Sequence, residues 1–213
     1  SMASDRPDLK PASTAIRAGR DASGSALAPA LWASSVWEST CLDDAHQRAT
    51  GTRSDEFYGR YANPTVRAFE QAIAELEGAG LDDIDAMAFG SGMGAISSTV
   101  LALCSAGDHI VAARQLYAGT LAFLQGPCAR FGIETTFVDG TQPGAFLNAV
   151  VPGRTTMVLA ETPSNPRLEL CDLDELGTIT GPFTVVDSTF ATPLGQQPLA
   201  HGIDLVIHSA PKG

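Results

Sequence analysis

Several side chains that could do chemistry stand directly after short apolar runs of the sequence. The glycine-rich turn GSGMG at residues 90–94 follows one run, and Tyr117 follows the next. Asn165 lies after a later run in a loop pinned by two prolines, and Asp187 and Lys212 follow the last two runs. Glycine N–H groups at a helix start can bind phosphate, an aromatic ring can stack on a planar ligand, and a lysine amine can bond to an aldehyde.

Each of these residues also has an ordinary structural explanation when it is taken alone. The glycines could form a tight turn, Tyr117 could pack a helix start, Asp187 could cap a helix, and Lys212 could lie on the surface. The glycine spacing matches neither the GxGxxG fingerprint of dinucleotide-binding folds nor a Walker loop. An unrelated Rossmann-like nucleotide-binding protein would explain the glycines, but it leaves Asp187, Asn165 and Lys212 without a role.

As a set, these residues match the requirements of one cofactor, pyridoxal 5′-phosphate. Its phosphate needs N–H donors at a helix start, as Gly92 and Met93 would offer, and its ring needs an aromatic face, as Tyr117 would offer. Its pyridine nitrogen needs a carboxylate, here Asp187, and its aldehyde needs an amine, here Lys212. The residues therefore predict that pyridoxal 5′-phosphate binds at one edge of a sheet.

The elements that must position these residues alternate along the chain. Apolar runs typical of buried strands lie at 86–89, 109–113, 135–138, 156–160, 184–186 and 205–208. Segments typical of helices lie between and after them, at 93–104, 119–130, 143–150, 172–179 and 196–201. This alternation predicts an α/β fold with a mostly parallel sheet and helices on both faces, in which ligands bind at the carboxyl ends of the strands.

The part of the chain before residue 63 differs in character from the rest. Residues 1–40 are rich in Ala, Ser, Gly and Pro and predict an extended arm, whereas residues 41–62 are polar and turn-rich. A helix is then predicted to begin at the cap Asn63, with apolar residues at helical spacing. We therefore divide the chain into an N-terminal arm, 1–62, and a cofactor-binding domain, 63–213.

Composition and charge exclude several classes of function. The 213 residues are 44% hydrophobic and 17% charged, as expected of a chain that forms a core, and the net charge is −11. This charge argues against a nucleic-acid partner, because the phosphate backbone needs a basic surface. No run reaches the roughly 18 apolar residues of a membrane helix. The four cysteines are scattered without a CxxC pair, which indicates reduced cytosolic thiols and no metal site.

Five stretches of the sequence resemble motifs of one enzyme family: FYGRYANPT, GSGMGAI, ETPSNP, VVDSTFATP and HSAPKG. They are similar, in order and spacing, to those of the trans-sulfuration (Cys/Met metabolism) family of fold-type I pyridoxal 5′-phosphate enzymes, and the resemblance begins at about Thr14. It implies the large domain of that fold and a cytoplasmic enzyme with a small amino-acid substrate. The implied reaction is β- or γ-elimination or replacement on sulfur-containing or O-acylated amino acids, as in cystathionine γ-synthase, cystathionine γ-lyase and methionine γ-lyase.

The resemblance gives each candidate residue a role by position. Lys212 matches the lysine that forms a Schiff base with the cofactor and shuttles protons. Asp187 matches the partner of the pyridinium nitrogen, and Tyr117 matches the tyrosine that stacks on the ring. The positions that match further cofactor contacts are Gly92, Met93 and Ser209 at the phosphate and Asn165 near the ring oxygen and the substrate carboxylate.

Tyr58 and Arg60 match a pair that, in this family, reaches the phosphate bound in a neighbouring subunit. This role rests wholly on the resemblance, because a tyrosine and an arginine in a polar loop are otherwise unremarkable. It implies that residues 1–62 include an inter-subunit segment and that the protein is a homo-oligomer, usually a dimer of dimers.

Two positions depart from the family pattern, and a third differs from one of its members. Pro211 stands where the family usually has a threonine whose hydroxyl contacts the phosphate, and Gly213 stands where an aromatic residue is usual. Gly119 stands where methionine γ-lyases carry a cysteine, which shifts the expectation toward cystathionine-type or sulfhydrylase activity.

Members of the family that the sequence resembles are about twice as long as this chain. We expect the end of the large domain and a C-terminal domain to be absent from it. The chain would then be the N-terminal half of a larger enzyme, either truncated or completed by a second chain. The alternative is a catalytically impaired relative that keeps the fold, which Pro211 and the missing half favour.

Overall fold

The computed structural model describes residues 9–20, 26–51, 54, 56–78 and 80–212. The chain divides into two compact units, Ser1–Ala88 and Phe89–Gly213. In the described part of the chain, none of the helices combines the length and the apolar character that crossing a bilayer requires.

Three helices form the described part of the first unit: α1 (Pro11–Arg17), α2 (Leu42–Thr50) and α3 (Pro64–Glu77). The predicted start of α3 is confirmed, because the Asn63 side chain accepts a hydrogen bond from the Thr65 N–H at 2.9 Å. The Thr65 hydroxyl in turn donates to the Ala30 carbonyl and accepts from the Trp32 N–H, which fixes the preceding segment to the start of α3.

The prediction that residues 1–40 are wholly extended is wrong at α1. This helix buries no residue, so it lacks the apolar period by which a helix is recognised. Pro11 occupies its first turn, and Gly19, at φ +69°, follows its end, which are common start and stop residues. Gly19 also packs against α3, where a Cβ would overlap the Ala68 carbonyl oxygen, so the end of α1 is held by a tertiary contact that leaves no apolar period in its sequence.

Helix α2 lies inside the segment 41–62 that the sequence predicts to be turn-rich. It too buries no residue, and its stability comes from polar contacts along the chain. Asp44 accepts from the Thr40 N–H at 2.8 Å and pairs with Arg48, one turn later, at 2.7 Å. Such local polar contacts leave no apolar period in the sequence, which is why the helix was not predicted.

The second unit is built on a five-stranded sheet whose strands are all parallel, in the order β2-β1-β3-β4-β5. The strands are β1 (His109–Ala113), β2 (Glu134–Val138), β3 (Thr155–Glu161), β4 (Phe183–Asp187) and β5 (Leu205–Ile207). All five were predicted within one residue at each end. The continuous apolar runs are explained by burial on both faces, since every residue of β1 and all but one of β3 are buried.

The helices of this unit are α4 (Gly92–Leu103), α5 (Ala118–Phe123), α6 (Ala145–Ala149), α7 (Leu173–Gly177) and α8 (Thr192–Gly195). Helix α5 continues into a π-helical turn, Leu124–Cys128, and 3-10 turns follow at Pro198–His201 and Ala210–Lys212. The crossovers β1–β2 and β2–β3 run in opposite directions along the sheet. Right-handed crossovers therefore place α5 and α6 on opposite faces, as predicted.

Two predicted elements are wrong in type. Residues 86–89 form no strand, and the Ala88 N–H donates to the buried Glu70 carboxylate at 2.8 Å, which replaces a ladder bond. Residues 196–201 were predicted as a helix of ordinary type, but the helical part is the 3-10 turn Pro198–His201. This turn ends at Gly202, which has φ +85°.

Gly177, at the end of α7, packs against the 3-10 turn so closely that a Cβ there would overlap the carbonyl oxygen of His201. We expect Gly177→Ala to lower the free energy of unfolding by about 1–3 kcal/mol, because the obstacle is backbone and cannot rotate away. The matched control is Gly126→Ala, since a Cβ at Gly126 meets no atom within 4 Å. Urea denaturation would measure both variants, and equal stability of the two would contradict this packing.

Candidate active site

The carboxyl ends of the strands gather the candidate residues of the second unit at one edge of the sheet. Tyr117 follows β1, Glu161 ends β3, Asp187 ends β4, and Lys212 lies after β5. Glu161 and Asp187 are direct partners in the parallel register of β3 and β4. The strand order reverses between β1 and β3, and such a switch point is where doubly wound sheets bind ligands.

The start of α4 supplies N–H groups at this edge. The Ser91 hydroxyl caps the helix by accepting from the Gly94 N–H at 2.9 Å. The N–H groups of Gly92 and Met93 lie in the first turn, where an α-helix gives them no internal partner. Gly92 is required because a Cβ there would lie 2.9 Å from the Cβ of Ser209. The helix start and Ser209 therefore lie side by side, in an arrangement suited to an anion.

The Lys212 amine lies over the ring of Tyr117, with Nζ 5.4 Å from the ring centroid. Tyr117 is 41% exposed, so the residue is accessible to a ligand. A Cβ at Gly119 would lie only 2.6 Å from Cε1 of Tyr117 and 3.3 Å from the sulfur of Met93. The glycine at this position therefore lets the tyrosine ring lie close to the start of α5, where a cysteine side chain would displace it.

Asp187 is buried, and Thr189 holds its carboxylate. The Thr189 N–H and hydroxyl both donate to Oδ1 of Asp187, at 3.0 and 2.5 Å. Among the described residues no donor is bound to Oδ2. A buried carboxylate with one oxygen still open suits a cationic N–H ligand, which would offset the cost of its burial.

Glu161 is a second buried carboxylate at this edge. Its Oε2 accepts the Tyr117 N–H at 2.5 Å, which attaches the start of α5 to the end of β3. Burial, with the neighbouring charge of Asp187 as a smaller cause, raises the pKa of the Glu161 carboxyl to about 7. The N–H groups of Tyr117 and Asn165 and the Lys212 ammonium oppose this rise in pKa.

The structure brings together six of the nine residues predicted for the site: Gly92, Met93, Tyr117, Asp187, Ser209 and Lys212. Asn165 is exposed in the turn after β3, and its backbone N–H is hydrogen-bonded to Glu161. Tyr58 and Arg60 belong to the first unit, where the Arg60 guanidinium carbon lies 5.1 Å from the Tyr58 ring centroid. Their role toward a neighbouring subunit stays a prediction.

Sequence reasoning gave no role to Glu161 or Thr189. A signal for Glu161 was present, because it ends one apolar run just as Asp187 ends another. No comparable signal marks Thr189, because its contact with Ser209 is set by the pairing of β4 with β5.

The donor set fits pyridoxal 5′-phosphate on the chemistry of its parts. It contains an amine, an exposed aromatic face, a buried carboxylate with an open oxygen, and free N–H groups at the start of a twelve-residue helix. These would meet the aldehyde, the ring, the ring nitrogen and the phosphate respectively.

The raised pKa of Glu161 predicts that the stability of the cofactor-free chain depends on pH. From the unfolded value of 4.5 to the folded value of about 7, unfolding releases a proton, so this carboxyl stabilises the fold at low pH and ceases to do so as the pH rises through 7. We expect Glu161→Gln, which keeps an oxygen acceptor, to gain stability relative to the parent between about pH 5 and pH 8. Urea midpoints at both pH values would measure this, and a constant difference would contradict it.

Comparison with known proteins finds relatives by sequence and by structure. In the three described here, the match covers about half of the relative's length. The chain is 40% identical over 186 residues to an O-succinylhomoserine sulfhydrylase of Pseudomonas aeruginosa, covering 86% of this chain and 45% of the relative. It is 40% identical over 205 residues to an L-methionine gamma-lyase of Fusobacterium nucleatum, covering 93% and 50%. The chain therefore spans about half the length of the curated relatives that it matches.

Among solved structures, the fold matches a Campylobacter jejuni protein assigned as O-acetylhomoserine (thiol)-lyase, with a TM-score of 0.84 and 25% identity. The match covers 94% of this chain and 49% of that protein, whose structure contains N′-pyridoxyl-lysine-5′-monophosphate. The family model described as Cys/Met metabolism PLP-dependent enzyme matches residues 12–212, nearly the whole sequence. The chain belongs to the Cys/Met metabolism family of pyridoxal 5′-phosphate-dependent enzymes.

Proposed function

We propose that the protein is a pyridoxal 5′-phosphate-dependent carbon–sulfur lyase or a sulfhydrylase-type transferase, acting on a sulfur-containing or O-acylated amino acid. The observation that carries the proposal is the Lys212 amine over the Tyr117 ring, at the sheet edge where Asp187 is buried. The names of the two sequence relatives support both reactions, an elimination by the lyase and a replacement by the sulfhydrylase.

The chain's own residues divide the work of holding the cofactor. Lys212 would bond to the aldehyde, Tyr117 would cover one face of the ring, and Asp187 would accept the ring N–H through Oδ2. The N–H groups of Gly92 and Met93 would receive the phosphate. When bound, the cofactor withdraws electrons from the α-carbon of the amino acid, which makes the α-proton removable.

The same residues would then serve the substrate. Lys212 is the amine that would take the α-proton and return it to a neighbouring carbon, because it is the amine at this edge of the sheet. Glu161 holds the backbone of Tyr117, so the ring would stay in place while Lys212 moves. The buried Asp187 would keep the ring nitrogen protonated, since a cationic partner at Oδ2 would further offset the cost of burying the carboxylate.

Two further proposals concern the whole protein. Tyr58 and Arg60, stacked beside the exposed Tyr61, would reach the phosphate site of a neighbouring subunit in a homo-oligomer. We also propose that a further segment or a second chain completes the substrate site, since the relatives are about twice as long.

The proposal is tested by turnover in the protein at its full natural length, loaded with pyridoxal 5′-phosphate. Cystathionine, methionine and O-succinylhomoserine with a thiol would be supplied in turn, and ketoacid and replacement product measured. We expect turnover of at least one substrate, and a loss of about 10²–10⁴-fold or more in Lys212→Ala and in Lys212→Arg, because arginine keeps the charge but cannot take up the proton.

A visible spectrum of bound cofactor without turnover of any of these substrates would contradict the proposed activity. That result would favour the catalytically impaired relative, for which Pro211 is the supporting feature, because it offers no hydroxyl or N–H to a phosphate.

A further inference from the structure

Beyond the ends of β4 and β5, two hydrogen bonds link the segments that follow the strands. The first joins two backbone groups, and the second joins a backbone N–H to a side chain. The Ser188 N–H donates to the Ile207 carbonyl at 2.9 Å, which continues the ladder one residue past the end of β4. Two residues beyond Ile207, the Ser209 N–H donates to the Thr189 hydroxyl, also at 2.9 Å. A side chain therefore holds the chain at the point where it leaves the sheet toward Lys212.

The same hydroxyl also holds Asp187. It donates to Oδ1 at 2.5 Å, and the Thr189 N–H donates to the same oxygen at 3.0 Å. A hydroxyl has one proton and two lone pairs, so it can donate to Asp187 and accept from Ser209 at once. A bond to an ionised carboxylate is about twice as strong as a neutral one, and it fixes the direction of the hydroxyl.

We infer that Thr189 is a positioning residue that couples the carboxylate of Asp187 to the segment Ser209–Lys212. The Lys212 N–H closes a 3-10 turn onto the Ser209 carbonyl at 3.0 Å, so the position of Ser209 is passed on to the lysine. The inference rests on the proposed function, because Asp187 and Lys212 would meet opposite parts of the cofactor ring. Thr189 then sets the distance between the two groups that hold that ring.

The sheet contains a matched arrangement at the amino end of the same two strands. The Thr184 hydroxyl donates to the Asp204 carboxylate at 2.9 Å and accepts the Asp204 N–H at 3.0 Å. Thr184 is buried, and it links β4 to the segment that precedes β5. In the same way, Thr189 links the segment after β4 to the segment after β5. Thr184→Val is therefore the control that removes a comparable interstrand hydroxyl away from the site.

The experiment compares Thr189→Val, Thr189→Ser and Thr184→Val with the parent protein at its full natural length. Pyridoxal 5′-phosphate is titrated into cofactor-free protein, and its dissociation constant and the visible spectrum of the bound form are measured. We expect Thr189→Val to weaken binding about tenfold or more and to change the spectrum, because one charge-assisted bond to Asp187 is lost and the Ser209 N–H is left without its acceptor. Thr189→Ser should restore both, and Thr184→Val should lower stability with binding within about twofold of the parent.

Hydrogen exchange in the cofactor-free protein gives a readout that does not depend on the proposed function. The backbone N–H of Ser209 should exchange faster in Thr189→Val than in the parent, Thr189→Ser or Thr184→Val. Unchanged exchange at Ser209, or equal effects of Thr189→Val and Thr184→Val on binding, would overturn the inference. Failure of the parent to bind the cofactor, with exchange altered as expected, would instead refute the proposed function and leave the coupling of Asp187 to Ser209 supported.

Discussion

The parallel register of β3, β4 and β5 is the constraint on which the site depends. It sets Glu161 beside Asp187 and Asp187 beside Ile207, so three strands reach the same edge at the same level. Because every strand of the sheet is parallel, the loops that leave this edge all carry residues toward one place. A register shift of one residue in β4 would turn Asp187 to the other face of the sheet and separate it from the lysine-bearing segment.

Buried charge at this edge explains why so many local contacts surround it. Two carboxylates, Glu161 and Asp187, lie on adjacent strands, and each would be costly to bury without donors. Thr189 supplies two donors to Asp187, and the Tyr117 N–H supplies one to Glu161. The raised pKa of the Glu161 carboxyl, about 7, makes it less often charged near neutral pH than an exposed glutamate, which lessens the repulsion between the two carboxylates.

The sequence predicts the sheet and helix α3 well and helices α1 and α2 poorly, for physical reasons. Strands that are buried on both faces are nearly continuous apolar runs, so β1 and β3 can be recognised in the sequence without knowledge of the strands they pair with. Helices α1 and α2 bury no residue, so their sequences carry no apolar period. Within the site, Asp187 and Lys212 could be recognised by residue type, whereas Thr189 acts through Ser209, twenty positions away, and is visible only once β4 and β5 are paired.

The most direct test of the account is to locate the bond between the protein and its cofactor. The sequence contains two lysines, Lys10 and Lys212, so the assignment has few alternatives. The cofactor-loaded chain would be reduced with borohydride, digested and mapped by mass spectrometry. The account predicts a pyridoxyl group on the peptide that contains Lys212. A label on Lys10, or no label on either lysine of protein that has bound the cofactor, would contradict it.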